Sequence, residues 1–312
     1  MKKLLLTLLL CSVVSVVSAA EYKFIVPNTP GSAPDYIARL VQQSYQRNTK
    51  NTLVIENLPG GDSIIGINKF KQDPKSIIII PSGPMVIIPT LAGNTGPWVD
   101  SDFDWAGLVS FHPQVWFANK KSGIVDFASL KKYIKTHDRT EIGADFIVGI
   151  VNATAFFEEE NIIDKLLIVR YKAAPDTVMS VMNETTPLGI GNSSPALLGA
   201  IETGKIRPIV ASGNSSVQIG KFTVPPLDAT GKIYTLSGWQ AIAINKKFQY
   251  NTEADQLKRD LWAAINDPET RQQIRKLGLI SDPVPGDKLL PMIEKQRKNF
   301  AQHSDSVKSL SK

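Results

Sequence analysis

The sequence predicts a mixed α/β protein built as two units, and three observations carry that expectation. From Lys23 onward, apolar runs alternate with amphipathic segments, with Gly, Pro, Ser or Asn at each switch. That is the punctuation of a strand–helix series. Short continuous apolar strands such as Ile77 to Ile80 suit a parallel sheet covered on both faces. The 312 residues are enough for two compact domains at roughly 100 to 200 residues each.

Taken in order, KFIVP reads as a strand, NTPGSAP as a loop and DYIARLVQQSY as a helix with Ile37, Leu40, Val41 and Tyr45 on one face. TLVIEN, LPGGDS and SIIGINKFK repeat the cycle, and SIIII, PSGP and an apolar helix around Met85 to Leu91 repeat it again. A second series follows the Lys120, Lys121, Ser122, Gly123 break. FASLKKYIKTH, NATAFFEEEN, PDTVMSVMNE and ALLGAIETG read as helices, with TEIGA, LLIVRY, TPLGI and IRPIVAS as strands. Residues 213 to 238 lose periodicity and read as a connection, WQAIAI is a strand, and the tail is helical from Ala254 to Leu277 and from Gly286 to about Gln302. A strandless tail has to pack on an existing sheet, most simply the first. Residues 21–121 with 239–312 are therefore expected to form one lobe and 122–238 the other, with two chain crossings near 118–122 and 236–240.

The opening MKKLLLTLLLCSVVSVVSAA, residues 1–20, has the two lysines, apolar run and small residues of a secretory signal peptide cleaved after Ala19 or Ala20. A lipoprotein reading would need a small residue before Cys11, where Leu10 stands. Cleavage removes Cys11, the only cysteine, so the exported chain has no disulfide and is held by packing alone. No later apolar run approaches the roughly 18 residues that span a bilayer, and a soluble periplasmic protein is expected. Hydrophobic residues make up 43% and charged residues 21%, which excludes collagenous, disordered and coiled-coil chains. The net charge of +6 falls to about +4 without Lys2 and Lys3, too little for a nucleic-acid footprint.

Three loops share one design, in which a strand ends, small or polar residues follow and a helix begins. Ligands bind at such carboxyl ends of strands in open α/β sheets. In Asn28, Thr29, Pro30, Gly31, Ser32, Ala33, Pro34, Asp35, the spacing of Ser32 and Asp35 fits a capping box, and Pro34 falls in the first helical turn. A helix N-terminus there suits a carboxylate, phosphate or sulfate, with Gly31 allowing close approach. The same pattern equally describes a capped helix that binds nothing. The spacing matches neither GxGxxG nor GxxxxGK[ST], which argues against a nucleotide. The loops around Ser82 and Gly83 and around Asn192 and Ser193 have the same form, as does Gly149 to Thr154 with Asn152 as a cap. Their donors are uncharged, which fits a small anion held by backbone, hydroxyl and amide groups.

Catalytic constellations are missing. His112, His137 and His303 are the only histidines, and no HExxH, GxSxG or CxxC occurs. The run Glu158 to Glu160 and the lysines 131, 132 and 135 read as solvated helix faces. No metal or cofactor is expected.

The segments KFIVPNTPGSAPDYIARL, VIENLPGGDSIIGINKF, VRYKAAPDTVMSVMNETTPLGIGNSSPALLGAIETGKIRPIVASG and SGWQAIAI resemble the substrate-binding receptors of tripartite tricarboxylate transporters, the Bug family. The resemblance runs, with gaps, over nearly the whole exported chain. It implies a two-lobed venus-flytrap fold, the type II periplasmic-binding-protein fold, in a monomer that captures a small carboxylated metabolite and delivers it to a membrane permease. It implies a grip on carboxylate by Thr29, Gly31, Ser32, Ala33 and Asp35, faced by Asn152, Asn192 and Ser193. Asn28, Ser82 and Gly83 complete the expected ligand-binding set. Pro34 stands where the family has Ser or Thr, Asn28 replaces an apolar or aromatic residue, and DFIVGIVNAT is bulkier than the family loop, departures that open a shift in ligand class. The expected function is non-enzymatic solute binding. Its rivals are a ligand-sensing module for a membrane sensor kinase and an exported hydrolase with Ser82 or Ser193 as nucleophile.

Overall fold

In strand β1 (Glu21–Val26) and strand β3 (Ile77–Pro81) the unbroken apolar runs are buried, Ile77 to Ile80 completely. A strand covered on both faces requires this. β1 lies between β3 and β2 (Thr52–Asn57), all parallel, with Phe24 opposite both Ile55 and Ile77. The crossovers are helices α1 (Ala33–Asn48) and α2 (Ile64–Gln72). Ile37, Val41 and Tyr45 of α1 are buried as the periodicity predicts, and Leu40 is half-buried at the edge of that face. No loop follows β3, contrary to the reading of Pro81 to Pro84: Ser82 is already helical, and a single wide helical turn, Gly83–Ile87, runs straight into α3 (Ile88–Leu91).

The computed structural model describes residues 19–92, 98–145, 147–213, 215–227, 236–248 and 252–310. All but the last two residues of the expected leader, and part of the expected 213–238 connection, lie outside these. The described part of that connection holds an antiparallel hairpin, β10 (Val217–Ile219) and β11 (Phe222–Val224).

Strands β4 (Phe103–His112), β12 (Gly238–Asn245) and β13 (Val284–Pro285) complete the first sheet, in the order β13-β4-β12-β3-β1-β2. The second sheet runs β7-β6-β8-β5-β9, formed by β5 (Gln114–Asn119), β6 (Thr140–Ala144), β7 (Leu166–Arg170), β8 (Leu188–Asn192) and β9 (Ile206–Ala211). Its helices are α4 (Phe127–Thr136), α5 (Ile147–Glu159), α6 (Ala174–Met182) and α7 (Pro195–Glu202). The two sheets have one plan. Three parallel strands are followed by an antiparallel strand, β12 or β5, that separates the third from the fourth. No sequence repeat announces this shared plan.

The passage between sheets differs from expectation. β4 ends at His112 and β5 begins at Gln114, so only Pro113 separates them, and β5 belongs to the second sheet rather than to a unit ending at residue 121. The physical reason is burial: Val115, Trp116, Phe117 and Ala118 lie between β8 and β9, while the polar break at Lys120 to Ser122 is a surface turn capped by Asn119. The return passage ends at Gly238, within the expected window.

The tail is not strandless. Besides β13, Ile280 bridges Phe111, and the expected helix from Ala254 to Leu277 is two, α8 (Thr252–Asn266) and α9 (Pro268–Lys276). Asp267 accepts from the Thr270 N–H at 2.9 Å and starts α9 before Pro268, whose ring cannot continue α8. Both pack on α1. α10 (Leu289–Ala301) packs on the Gly83–Ile87 turn, but α11 (Ser304–Leu310) packs on α3 and on α5 of the second sheet. There Glu158 meets His303 Nδ1 at 2.5 Å and accepts from Ser306.

Candidate functional site

Neighbouring parallel strands release their loops side by side. β1 and β3 are paired, so the loop that starts at Asn28 and the helical turn that starts at Ser82 emerge together at the carboxyl edge of the first sheet. In the second sheet Ala144 lies opposite Ile190, so Asp145 and the Gly191, Asn192 pair emerge together. The two edges meet. A methyl group in place of the Gly83 hydrogen would stand 3.7 Å from Ile147 Cγ2, and α5 packs on the Gly83–Ile87 turn.

On the first edge, Gly31 has φ +77°, the left-handed conformation that glycine adopts without strain. Asp35, 3% exposed, accepts from the Gly31 N–H at 2.9 Å, from Arg39 Nε and Nη2 at 3.0 Å each, and from Asn57 Nδ2 at 3.0 Å. Burial alone would raise its pKa, but Arg39, the Gly31 N–H and Asn57 outweigh this and hold the carboxyl below its ordinary value. Asn57 also donates to the Asn28 carbonyl at 3.1 Å. Asp35 is thus the fastening of the loop rather than a free ligand contact. The capping box expected between Ser32 and Asp35 does not form: Ser32 has the extended backbone of an N-cap, but its hydroxyl makes no cap bond, and the Asp35 carboxylate, taken by Gly31, Arg39 and Asn57, leaves the Ser32 N–H to the Thr29 carbonyl. Thr29 is exposed and its carbonyl accepts from the Ser32 N–H, and Ala33 opens α1.

Three side-chain oxygens on this edge, Asn28 Oδ1, Ser32 Oγ and Ser82 Oγ, are buried without a hydrogen-bond partner among the described residues. Buried polar groups left so are rare and cost about 1 to 3 kcal/mol each. Their clustering at adjacent strand ends marks the site.

The residues expected on the second edge are differently employed. Asn152 is no loop cap: it lies inside α5, where Val148, Ile150, Val151 and Ala153 are buried on all faces, and the stretch from Gly149 to Thr154 is helical rather than a loop. An all-round apolar helix is a buried one. Its amide accepts from the Leu236 N–H at 2.7 Å and donates to the Leu236 carbonyl at 2.8 Å, which fastens the return passage. Asn192 Oδ1 accepts from Gln114 Nε2 beside the first passage. Ser193 Oγ donates to the Leu277 carbonyl at 2.9 Å and ties the second sheet to the tail.

The residue that sequence reasoning missed is Asp145, between β6 and α5. Both its carboxylate oxygens are buried without a hydrogen-bond partner among the described residues. A methyl at Gly191 would stand 3.2 Å from its Oδ1. Burial pushes this carboxyl up to about 7, opposed by its own N–H and the nearby Thr177 hydroxyl, neither in hydrogen-bonding geometry, and reinforced by Asp176. The signal was an acidic residue directly after a strand and before an apolar run.

Among the described residues no group of three His, Cys, Asp and Glu side chains is placed to hold a metal ion, and no helix is long and apolar enough to cross a membrane. A separate recess lined by Tyr22, Asn51, Glu253 and Leu257 lies at the amino end of β1, away from the facing edges, and the Tyr22 hydroxyl there donates to Glu253 at 2.9 Å.

Solved structures share this architecture. BugD, described as a periplasmic binding protein, superposes with a TM-score of 0.74 at 19% identity over 92% of this chain and 97% of its own. The fold is that of the periplasmic binding proteins. An R. palustris protein, Rpa4515, solved with adipate, has a TM-score of 0.77 at 17% identity, again over 92% of this chain and 97% of its own. In sequence, the chain is 23% identical over 273 residues to a UPF0065 protein in the TAR-I ttuE-ttuC' intergenic region of Agrobacterium vitis, over 85% of this chain and 77% of that one. No family model matches the chain. The resemblance to Bug receptors read from the motifs thus has its counterpart among the structural neighbours.

Proposed function

We propose that the protein is an exported, periplasmic solute-binding protein that captures a small carboxylate between the two facing sheet edges and hands it to a membrane permease of the tripartite tricarboxylate type. The observation that carries the reading is the pair of buried serine hydroxyls, Ser32 and Ser82, unpartnered at adjacent strand ends. A carboxylate accepting from both would remove the cost of burying them unpaired. The adipate bound to Rpa4515 supports this ligand class.

On this reading residues 21–112 with the chain from 238 onward form one lobe, residues 114–227 form the other, and the monomer closes by hinge motion about the two passages. Thr29, Gly31, Ala33 and Gly83 shape the first wall. The hydrolase reading finds no support: Ser193 is bonded to the Leu277 carbonyl, Ser82 has no hydrogen-bond partner among the described residues, and a serine nucleophile needs a base within reach. Thermal-shift titration of the protein from residue 21 tests the function. A ligand bound only by the native state raises the melting temperature by mass action. Small carboxylates should do so, and Ser32→Ala with Ser82→Ala should weaken the response. A panel of small carboxylates with apolar, amino, amide and carboxylate far ends that leaves the melting temperature unchanged throughout would refute the proposal.

A further inference from the structure

The two edges of the site differ in what they offer. The first presents hydroxyl donors, Ser32 and Ser82, beside the N-terminus of α1, while the second presents an acceptor, the buried and unpartnered carboxylate of Asp145. A carboxylate without donors is among the costliest groups to bury, and Asp176, whose charge acts on it, is of its own sign. Thr177 Oγ1 likewise has no hydrogen-bond partner among the described residues. The Gly191 backbone runs close enough that a methyl there would stand 3.2 Å from Oδ1, so the carboxyl is walled in on the β8 side.

We infer that Asp145 reads the far end of the ligand, and that the ligand is a small carboxylate whose other end donates a hydrogen bond, as an ammonium or amide N–H does. This rests on the solute-binding reading and names its ligand class. A donor at that position satisfies the orphaned carboxylate, while the ligand's own carboxylate meets the serine hydroxyls opposite. A dicarboxylate would instead bring a third negative group towards Asp145 and Asp176, and like charges at close range disfavour one another. The far wall thereby selects against the simple dicarboxylates that the first wall alone would accept.

Calorimetric titration at about pH 8, where the Asp145 carboxyl is ionised, with four probes of similar length, γ-aminobutyrate, succinamate, succinate and valerate, tests this. The expected result is that γ-aminobutyrate and succinamate bind at least roughly tenfold more tightly than succinate or valerate, since a hydrogen bond to a charged group amounts to about ten- to a hundredfold in affinity. Asp145→Asn should weaken γ-aminobutyrate by about that factor and remove the discrimination against succinate. Gly191→Ala, which crowds the same carboxyl from the backbone, should weaken the two donor-ended probes and serves if Asp145→Asn does not fold. Succinate or valerate binding the wild type as tightly as the donor-ended probes, or an unchanged ranking in the variants, overturns the inference and leaves the solute-binding reading standing. Failure of all four probes to bind overturns both.

Discussion

Replacing Asp145 with asparagine keeps the shape of the side chain and removes its titration, which exposes how the buried carboxyl sets the pH dependence of the ligand-free protein. The ordinary value of 3.8 becomes about 7 in the folded chain, through burial above all. The folded state therefore holds this proton more tightly than the unfolded state. Stability from this group is fully present below about pH 4 and is lost as pH rises through about 7, because unfolding releases the charge into water. About three pH units at 1.36 kcal/mol each come to about 4 kcal/mol. His112 acts in the opposite sense: burial lowers it from 6.5 to about 3, so its contribution is present above about pH 6.5 and is lost as pH falls. It does so in both proteins and cancels in their difference. Melting followed by circular dichroism between about pH 4 and 8 should give a difference, Asp145→Asn minus wild type, that grows with pH by roughly 8 to 16 °C, at roughly 2 to 4 °C per kcal/mol for a chain of this size. A difference that is flat with pH, or that grows towards acid, would refute the placement of Asp145 as a buried, unpaired carboxyl.

Asn152→Leu should cost about 2 to 4 kcal/mol in denaturant unfolding, because it strands the N–H and carbonyl of Leu236 in the interior, and a loss below about 0.5 kcal/mol would remove Asn152 from its fastening role. Gly31→Val should cost about 1 to 3 kcal/mol from its φ of +77° alone, since nothing lies within 4 Å of the added Cβ, whereas Gly31→Asn should cost less; equal losses would place the strain elsewhere. With neutral donors on the first edge, affinity for a carboxylate should stay within a few-fold between about 0.05 and 0.5 M salt, and a fall of orders of magnitude would reveal a cationic site.

Much of the architecture was legible because it depends on local patterning. The strands at Phe24 and at Ile77 to Ile80, the amphipathic α1, and the loops after β1 and β8 all follow from apolar runs ended by turn residues. The antiparallel strands β4 and β5 were not legible as separate elements, since only Pro113 divides them and their partners lie far along the chain. At the site, Gly31 was correctly picked out as a loop residue, whereas Ser82 is already helical, because β3 passes into a helix without the loop that Pro81 to Pro84 suggested. The employment of Asp35, Asn152 and Ser193 was not readable, because each is taken by a partner that tertiary packing supplies: Arg39 and Asn57, Leu236, and Leu277. Asn152 illustrates the difficulty. The same side chain that commonly caps a helix from outside can equally hold a distant backbone from within one.

The insertion of β12 between β3 and β4 has a consequence for the order of events as the chain emerges during synthesis. The second sheet is complete once residues 114 to 211 have emerged, for every strand in it is contiguous. The first cannot close until Gly238 to Asn245 arrives from beyond it, because β3 and β4 have no ladder with each other. A chain delivered amino end first therefore matures back to front, with its middle structured while its beginning waits for its end. Truncation before Gly238 should leave a folded second half attached to an open, unzipped first sheet, the kind of exposed strand edge that proteases and quality-control chaperones engage.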